Sequence, residues 1–113
     1  MSRTRAITAD ELRKLLRQLD DPARLAVRIA ADTGLRISDI LAIRPGDLAE
    51  KMVITERKTG KKRTVRLRPA TLKAAKAYSR YSGKFLIDRD RSTIYRQVRA
   101  AAEDLGLSHI SMH

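Results

Sequence analysis

A capping sequence followed by leucines at helical spacing is the feature that most constrains the fold of this chain. Thr8 can cap a helix, and Glu11 three residues later can return the hydrogen bond, which is the pattern of a capping box. The leucines that follow recur every third or fourth residue, at Leu12, Leu15, Leu16 and Leu19. The pattern predicts an amphipathic helix over Ala9–Leu19 whose apolar side must pack against further helices.

Proline, glycine and aspartate mark the beginnings and ends of the helices that follow. Asp21 is predicted as the N-cap and Pro22 as the first residue of a second helix, which Gly34 ends in a left-handed conformation. Three later helices are predicted: one from about Ile37 to before Pro45, one over Ala70–Arg80, and a last one that is capped by Asp90 or Ser92 and ends at Gly106.

Two segments in which apolar and polar side chains alternate lie between the third and fourth helices. Met52–Glu56 and Thr64–Arg68 are predicted as strands of a β-hairpin around a loop over 58–62, and Phe85–Ile87 would add a short third strand. The predicted fold class is therefore α+β but mainly α, with helices packed around a small antiparallel β-hairpin or a three-stranded sheet.

The charge of the chain indicates a polyanionic partner. Lys and Arg number 25 against 13 Asp and Glu, which gives a net charge of +12. Nucleic acid is the first choice, because no helix joins a basic face to a bulky aromatic face as a membrane-surface helix would. One Phe and three Tyr are too few for a platform that stacks single strands. The absence of Cys excludes disulfides and Cys-based metal sites, and a reducing cytoplasm is the expected location.

The segment Thr33–Arg36 predicts a seat for a phosphate. Gly34 turns the chain between two helices, so that Arg36 can face a cleft together with the backbone N–H groups of Ile37–Asp39. Helix N-termini and guanidinium groups both favour anions, and Asp39 is expected to hold the guanidinium in one orientation. The alternative is a surface arginine beside an ordinary helix break.

Basic residues crowd the predicted hairpin. Seven of the twelve residues from Arg57 to Arg68 are cationic: Arg57, Lys58, Lys61, Lys62, Arg63, Arg66 and Arg68. Val65 and Leu67 alternate with Arg66 and Arg68, so one face is apolar and the other is basic. Such a hairpin can follow a DNA backbone, and the alternative is a solvated edge whose lysines prevent strand pairing.

Taken in order, these segments resemble the tyrosine recombinase family, also called the phage integrases. The first catalytic Arg of that family follows a helix in a Thr-Gly-Leu-Arg type motif with an acidic residue three positions later, and Arg36 with Asp39 matches this pattern. The catalytic Lys of the family lies in a β-hairpin, often before Thr-Gly, which corresponds to Lys58 here. His113 would be the first residue of the family's His-x-x-Arg box, and the resemblance extends from about Ile7 onward.

The resemblance implies a partial catalytic core of the DNA-breaking-rejoining type over 8–113, and the basic residues of 1–7 indicate an arm or linker before it. In such enzymes a Tyr hydroxyl attacks a DNA phosphodiester, and a 5′-hydroxyl leaves from a 3′-phosphotyrosyl intermediate, with no cofactor and no metal. Arg36 would then clamp the non-bridging oxygens and Lys58 would protonate the leaving oxygen. His113 would assist proton transfer, and Asp39 would support Arg36.

The sequence also departs from the family pattern. The second Arg of the box and the nucleophilic Tyr are missing, and Tyr78, Tyr81 and Tyr95 lie upstream of the box. We therefore expect the 113-residue chain to bind duplex DNA without cleaving it. The implied partners are double-stranded DNA and, in a full-length protein of a prokaryotic cell or phage, other recombinase protomers. An apolar face left uncovered by the missing segments would favour self-association. A non-enzymatic DNA-binding module and an RNA-binding protein of ribosomal type remain open alternatives.

Overall fold

The structure is a computed structural model that describes residues 5–107 and 110–111, with side chains described for 7–107. Its helices and strands follow in the order β1 (Arg5–Ala6), α1 (Ala9–Gln18), α2 (Asp21–Thr33), α3 (Ile37–Ile40), β2 (Lys51–Thr55), β3 (Lys62–Arg66), α4 (Pro69–Tyr78), α5 (Arg91–Asp104) and β4 (Ile110–Ser111). Single 3₁₀ turns lie at Pro45–Asp47 and Ser79–Tyr81.

The start of α1 confirms the capping box. The Thr8 hydroxyl accepts a hydrogen bond from the Glu11 N–H at 3.2 Å, and the Glu11 carboxylate accepts one from the Thr8 N–H at 3.0 Å. The side chains of Leu15 and Leu19 are buried, as the leucine pattern requires of the inner face of this helix.

The N-cap of α2 is Asp20, so the prediction of Asp21 was wrong by one residue. The Asp20 carboxylate accepts the Ala23 N–H at 3.3 Å, three residues later, which is the reach of a capping side chain. Asp21 instead pairs with Arg24 at 2.8 Å in the first turn. Burial raises the pKa of Asp20, but the hydrogen bonds from Arg89, from the Ala23 N–H and from the Gln97 side chain, together with the positive charge of Arg89, outweigh it, so the pKa is lowered.

The hairpin is confirmed, although β3 begins two residues earlier than predicted. β2 and β3 pair antiparallel with Met52 opposite Val65. The turn lies at 56–61 and is closed by the Glu56 N–H, which donates to the Lys61 carbonyl at 2.8 Å. Lys62 and Arg63 are therefore strand residues, because the backbone ladder continues past the position where the sequence suggested a loop.

The third strand predicted at Phe85–Ile87 is not formed. One backbone hydrogen bond, from the Leu86 N–H to the Ile43 carbonyl at 2.9 Å, joins this segment to the turn after α3. Leu86 and Ile87 are buried, so the segment contributes to the core as irregular chain. Two short strands that the sequence did not indicate, β1 and β4, pair in parallel elsewhere.

Helix α2 lies at the centre of the core and packs against α1, α4 and α5. Its buried Leu25 and Ile29 share this core with Ile94 of α5 and with Val65 of the hairpin. Asp90 caps α5 through the Thr93 N–H at 2.7 Å, which decides between the two predicted caps. Within the described part of the chain, no helix has the length and apolar composition that crossing a membrane requires.

Candidate functional site

The turn after α2 places Arg36 at the surface. Gly34 has a φ of +70°, in the left-handed region. The Thr33 hydroxyl donates to the Ile29 carbonyl at 2.7 Å and accepts the Leu35 N–H at 3.2 Å, so the turn is fixed from within. Leu35 is buried in the core and Arg36, the next residue, is exposed. The four residues Thr33–Arg36 of the predicted motif therefore each have a structural role: Thr33 fixes the turn, Gly34 forms it, Leu35 packs in the core and Arg36 is exposed.

Arg36 lies on an open cleft of about 700 Å³ that is lined by residues from α3 and its two caps, from the hairpin turn and from α5: Arg36, Ser38, Leu41, Arg57, Lys58 and Arg91. The lining contains four cations and no carboxylate. Among residues 7–107, none of these four cationic side chains takes part in an ion pair or hydrogen bond. Cations that share a cleft without an acidic neighbour favour an anionic ligand.

Asp39 connects the two elements that carry the predicted catalytic residues. Its side chain is almost completely buried, and one carboxylate oxygen accepts the Arg57 N–H at 3.0 Å. The contact expected with the Arg36 guanidinium is not present in the described structure. Asp39 instead ties the hairpin turn to α3, and this tie brings Lys58 to the cleft that Arg36 lines.

Arg63 belongs to the predicted DNA-binding set and is exposed, but its guanidinium also makes a hydrogen bond within the protein. Its Nη2 donates to the Thr33 carbonyl at 2.9 Å. Arg63 stands opposite Ile54, on the hairpin face that also carries Val65. The sequence held a signal for this position, because residues 63, 65 and 67 alternate to one face of a strand that begins at Lys62.

The remaining cations of that set divide by their acidic neighbours. Arg66 has its Nη1 4.0 Å from the Glu50 carboxylate, on the exposed face of the hairpin. Arg68 has its Nε 3.7 Å from Asp32, which also accepts the Arg68 N–H at 3.0 Å. Among the members other than Arg63, those whose side chains have no acidic partner in the described part of the chain are Arg57, Lys61 and Lys62.

Sequence reasoning missed Arg91. It is the first residue of α5, directly after the cap Asp90, and the sequence offered no sign that the start of this helix faces the turn after α2. Tyr78, Tyr81 and Tyr95 do not line the cleft. His113, the predicted first residue of the His-x-x-Arg box, lies outside the described residues.

Comparison with known proteins agrees with the motif order. A family model described as "Phage integrase family" matches residues 5–113. No curated protein sequence is significantly similar to the chain. Among solved structures, XerA recombinase is similar with a TM-score of 0.75 and 20% identity, covering 95% of this chain and 45% of that one.

Several structures of lambda integrase are also similar, and two of them differ in how much of the protein they contain. Residues 75–356 of that protein bound to DNA give a TM-score of 0.78 at 23% identity, with 96% of this chain and 45% of that chain covered. The lambda integrase catalytic core gives 0.74 at 23% identity, with 91% and 71% covered. These likenesses show a shared fold. The chain spans less than half of the XerA structure and of the longer lambda integrase structure.

Proposed function

The chain belongs to the phage integrase family, and we propose that it is the part of a site-specific tyrosine recombinase that holds the scissile phosphodiester of duplex DNA. The observation that carries the proposal is the cleft in which Arg36, Arg57, Lys58 and Arg91 meet without a carboxylate. A phosphodiester carries one negative charge and presents two non-bridging oxygens, which match cationic donors that converge from several elements.

In this proposal Arg36 holds the non-bridging oxygens and stabilises the charge that develops on them in the transition state. Lys58, on the hairpin turn, donates a proton to the leaving 5′-oxygen, a role that contributes about 10²–10⁴-fold to the rates of typical enzymes. Arg57 and Arg91 bind phosphates that flank the scissile one. His113 assists proton transfer, as the resemblance implies.

The attacking hydroxyl comes from elsewhere in the complete recombinase. Tyr78, Tyr81 and Tyr95 are outside the lining of the cleft, which supports a division in which the cations of the cleft bind and orient DNA while another segment supplies the nucleophile. The similar lambda integrase structures include a dimer and a tetramer bound to DNA, so we further propose that the complete protein assembles with other protomers on DNA. It would act on the DNA of a prokaryotic cell or prophage.

The salt dependence of duplex binding tests this proposal. The slope of log Kobs against log salt is negative, and each phosphate contact that is lost should reduce its magnitude by about 0.9. The slopes compared below are these magnitudes. The double variant Arg36→Gln, Lys58→Gln should therefore bind more weakly, with a slope reduced by about 1.8. A second double variant, Lys61→Ala with Lys62→Ala, measures the contribution of the exposed hairpin cations on the same scale.

The matched control removes two cations from another surface. Lys73 and Lys76 line a separate groove along α4, which shares no residue with the cleft. Lys73→Gln with Lys76→Gln should leave the slope at the wild-type value. The proposal fails if both glutamine pairs lower the slope equally, because binding would then follow net charge. Stronger binding to duplex RNA than to duplex DNA would instead favour the RNA-binding alternative.

A further inference from the structure

We propose that Arg63 is a positioning residue that fastens the hairpin to the end of α2, so that Arg36 and Lys58 face one cleft, and that it does not contact DNA. The inference rests on the proposed function of the cleft and deepens it. It reassigns a residue that the sequence places among the DNA-binding cations of the hairpin.

The register of the hairpin separates Arg63 from its cationic neighbour. Residues directly opposite each other in an antiparallel pair have their side chains on the same face. Arg63 stands opposite Ile54, which is buried, whereas Lys62 stands opposite the exposed Thr55. The Arg63 side chain therefore leaves the inner face of the sheet, and that of Lys62 leaves the outer face.

On the inner face Arg63 meets the C-terminal end of α2. Its Nη2 donates to the carbonyl of Thr33, the last residue of the helix, at 2.9 Å. This carbonyl is among those that a helix leaves without an internal partner, and the guanidinium charge also suits the negative end of the helix dipole. Gly34 permits the approach, since a Cβ there would lie 3.3 Å from the Arg63 Nη2. Glycine is thus favoured at this position by its φ and by its neighbour.

Two ties fasten the hairpin turn to the segment that carries Arg36. At the start of the turn, the Arg57 N–H donates to Asp39 at 3.0 Å. After the turn, Arg63 donates to Thr33. Both acceptors belong to the segment 33–39, which has Arg36 between them. If either hydrogen bond is lost, the turn and Lys58 within it are attached to the segment 33–39 by the other bond alone.

The test compares Arg63→Ala, Arg63→Lys and Lys62→Ala in the 113-residue chain, by duplex DNA binding and by amide hydrogen exchange. Lys62→Ala is the matched control, because it removes one cation from the adjacent residue on the outer face. It should lower the salt slope by about 0.9 and leave exchange at Arg57 unchanged.

For Arg63→Ala we expect weaker DNA binding at an unchanged salt slope, together with exchange of the Arg57 amide that is about tenfold faster. Arg63→Lys keeps the charge but loses the planar fork of donors, so it should accelerate the same exchange. If Arg63→Ala fails to fold, the exchange rate in Arg63→Lys decides the matter. An Arg63→Ala chain that lowers the slope by about 0.9 with wild-type exchange would overturn the inference, because Arg63 would then be a phosphate contact. If no variant and no wild-type chain binds DNA, the proposed function fails, whereas the exchange rates still test the tie.

Discussion

Removal of the Asp39 carboxylate tests the link between the two halves of the cleft. Asp39 is 3% exposed, and the one hydrogen bond that its carboxylate accepts from the described residues comes from the Arg57 N–H at 3.0 Å. A hydrogen bond to a charged group contributes about 1.5–3 kcal/mol to the free energy of unfolding. Because Arg57 is exposed and water can reach its amide in the variant, we expect Asp39→Ala to cost about 1.5 kcal/mol, at the lower end of that range. Asp39→Asn keeps an acceptor oxygen and should cost about half as much.

The assay is urea unfolding at neutral pH, read as a change in the midpoint at constant m. Asp47→Ala is the matched control, because Asp47 also accepts a backbone N–H at 3.0 Å, from Arg44, but is exposed and acts within its own turn. This control should cost less than about 0.5 kcal/mol, as most surface substitutions do. Equal midpoints for Asp39→Ala and Asp47→Ala would refute the reasoning, since the tie between α3 and the hairpin would then add nothing.

Three further predictions concern α2 and the chemistry of the cleft. Because the pKa of Asp20 is lowered in the folded state, the contribution of its carboxylate to stability is present above the unfolded pKa and is lost as the pH falls below about 4. The melting temperatures of wild type and Asp20→Asn should therefore differ at neutral pH and approach each other as the pH falls below about 4, and a difference that does not change with pH would contradict this prediction. Gly34→Ala should lower the free energy of unfolding by about 1–2 kcal/mol, because alanine is strained at a φ of +70°. Denaturant unfolding measures this change, and an unchanged midpoint would contradict the prediction by showing that the turn relaxes without cost. Incubation of the 113-residue chain with a nicked suicide duplex should give no covalent protein–DNA adduct on a denaturing gel, and an adduct would mean that Tyr78, Tyr81 or Tyr95 reaches the cleft.

Local signals predicted the elements that short-range chemistry determines. The capping box at Thr8 and the left-handed Gly34 depend on residues within a few positions, so the sequence could indicate them. The register of β3 depends on the partner strand, which explains why the sequence predicts a start at Thr64, two residues after the start at Lys62 in the structure. Once the true start is known, alternation places Arg63 on the inner face.

The composition of the cleft could be predicted only in part. Arg36 and Lys58 stand out because their motifs resemble a family and because each lies at a recognisable turn. The bond between Asp39 and the Arg57 N–H joins residues 18 positions apart, and Arg91 reaches the cleft through the packing of α5. Such contacts follow from how whole elements pack, for which neither spacing nor charge in the sequence gives a direct signal.

The central claim, that the cationic cleft binds the DNA backbone, is tested most directly by NMR of arginine side chains during titration with a short duplex. The Nε–Hε signals of Arg36, Arg57 and Arg91 should shift together with one dissociation constant. Those of Arg24 and Arg89 should stay in place, because their guanidinium groups are bonded within the protein. Binding of the duplex without a shift of the three cleft arginines would contradict the account.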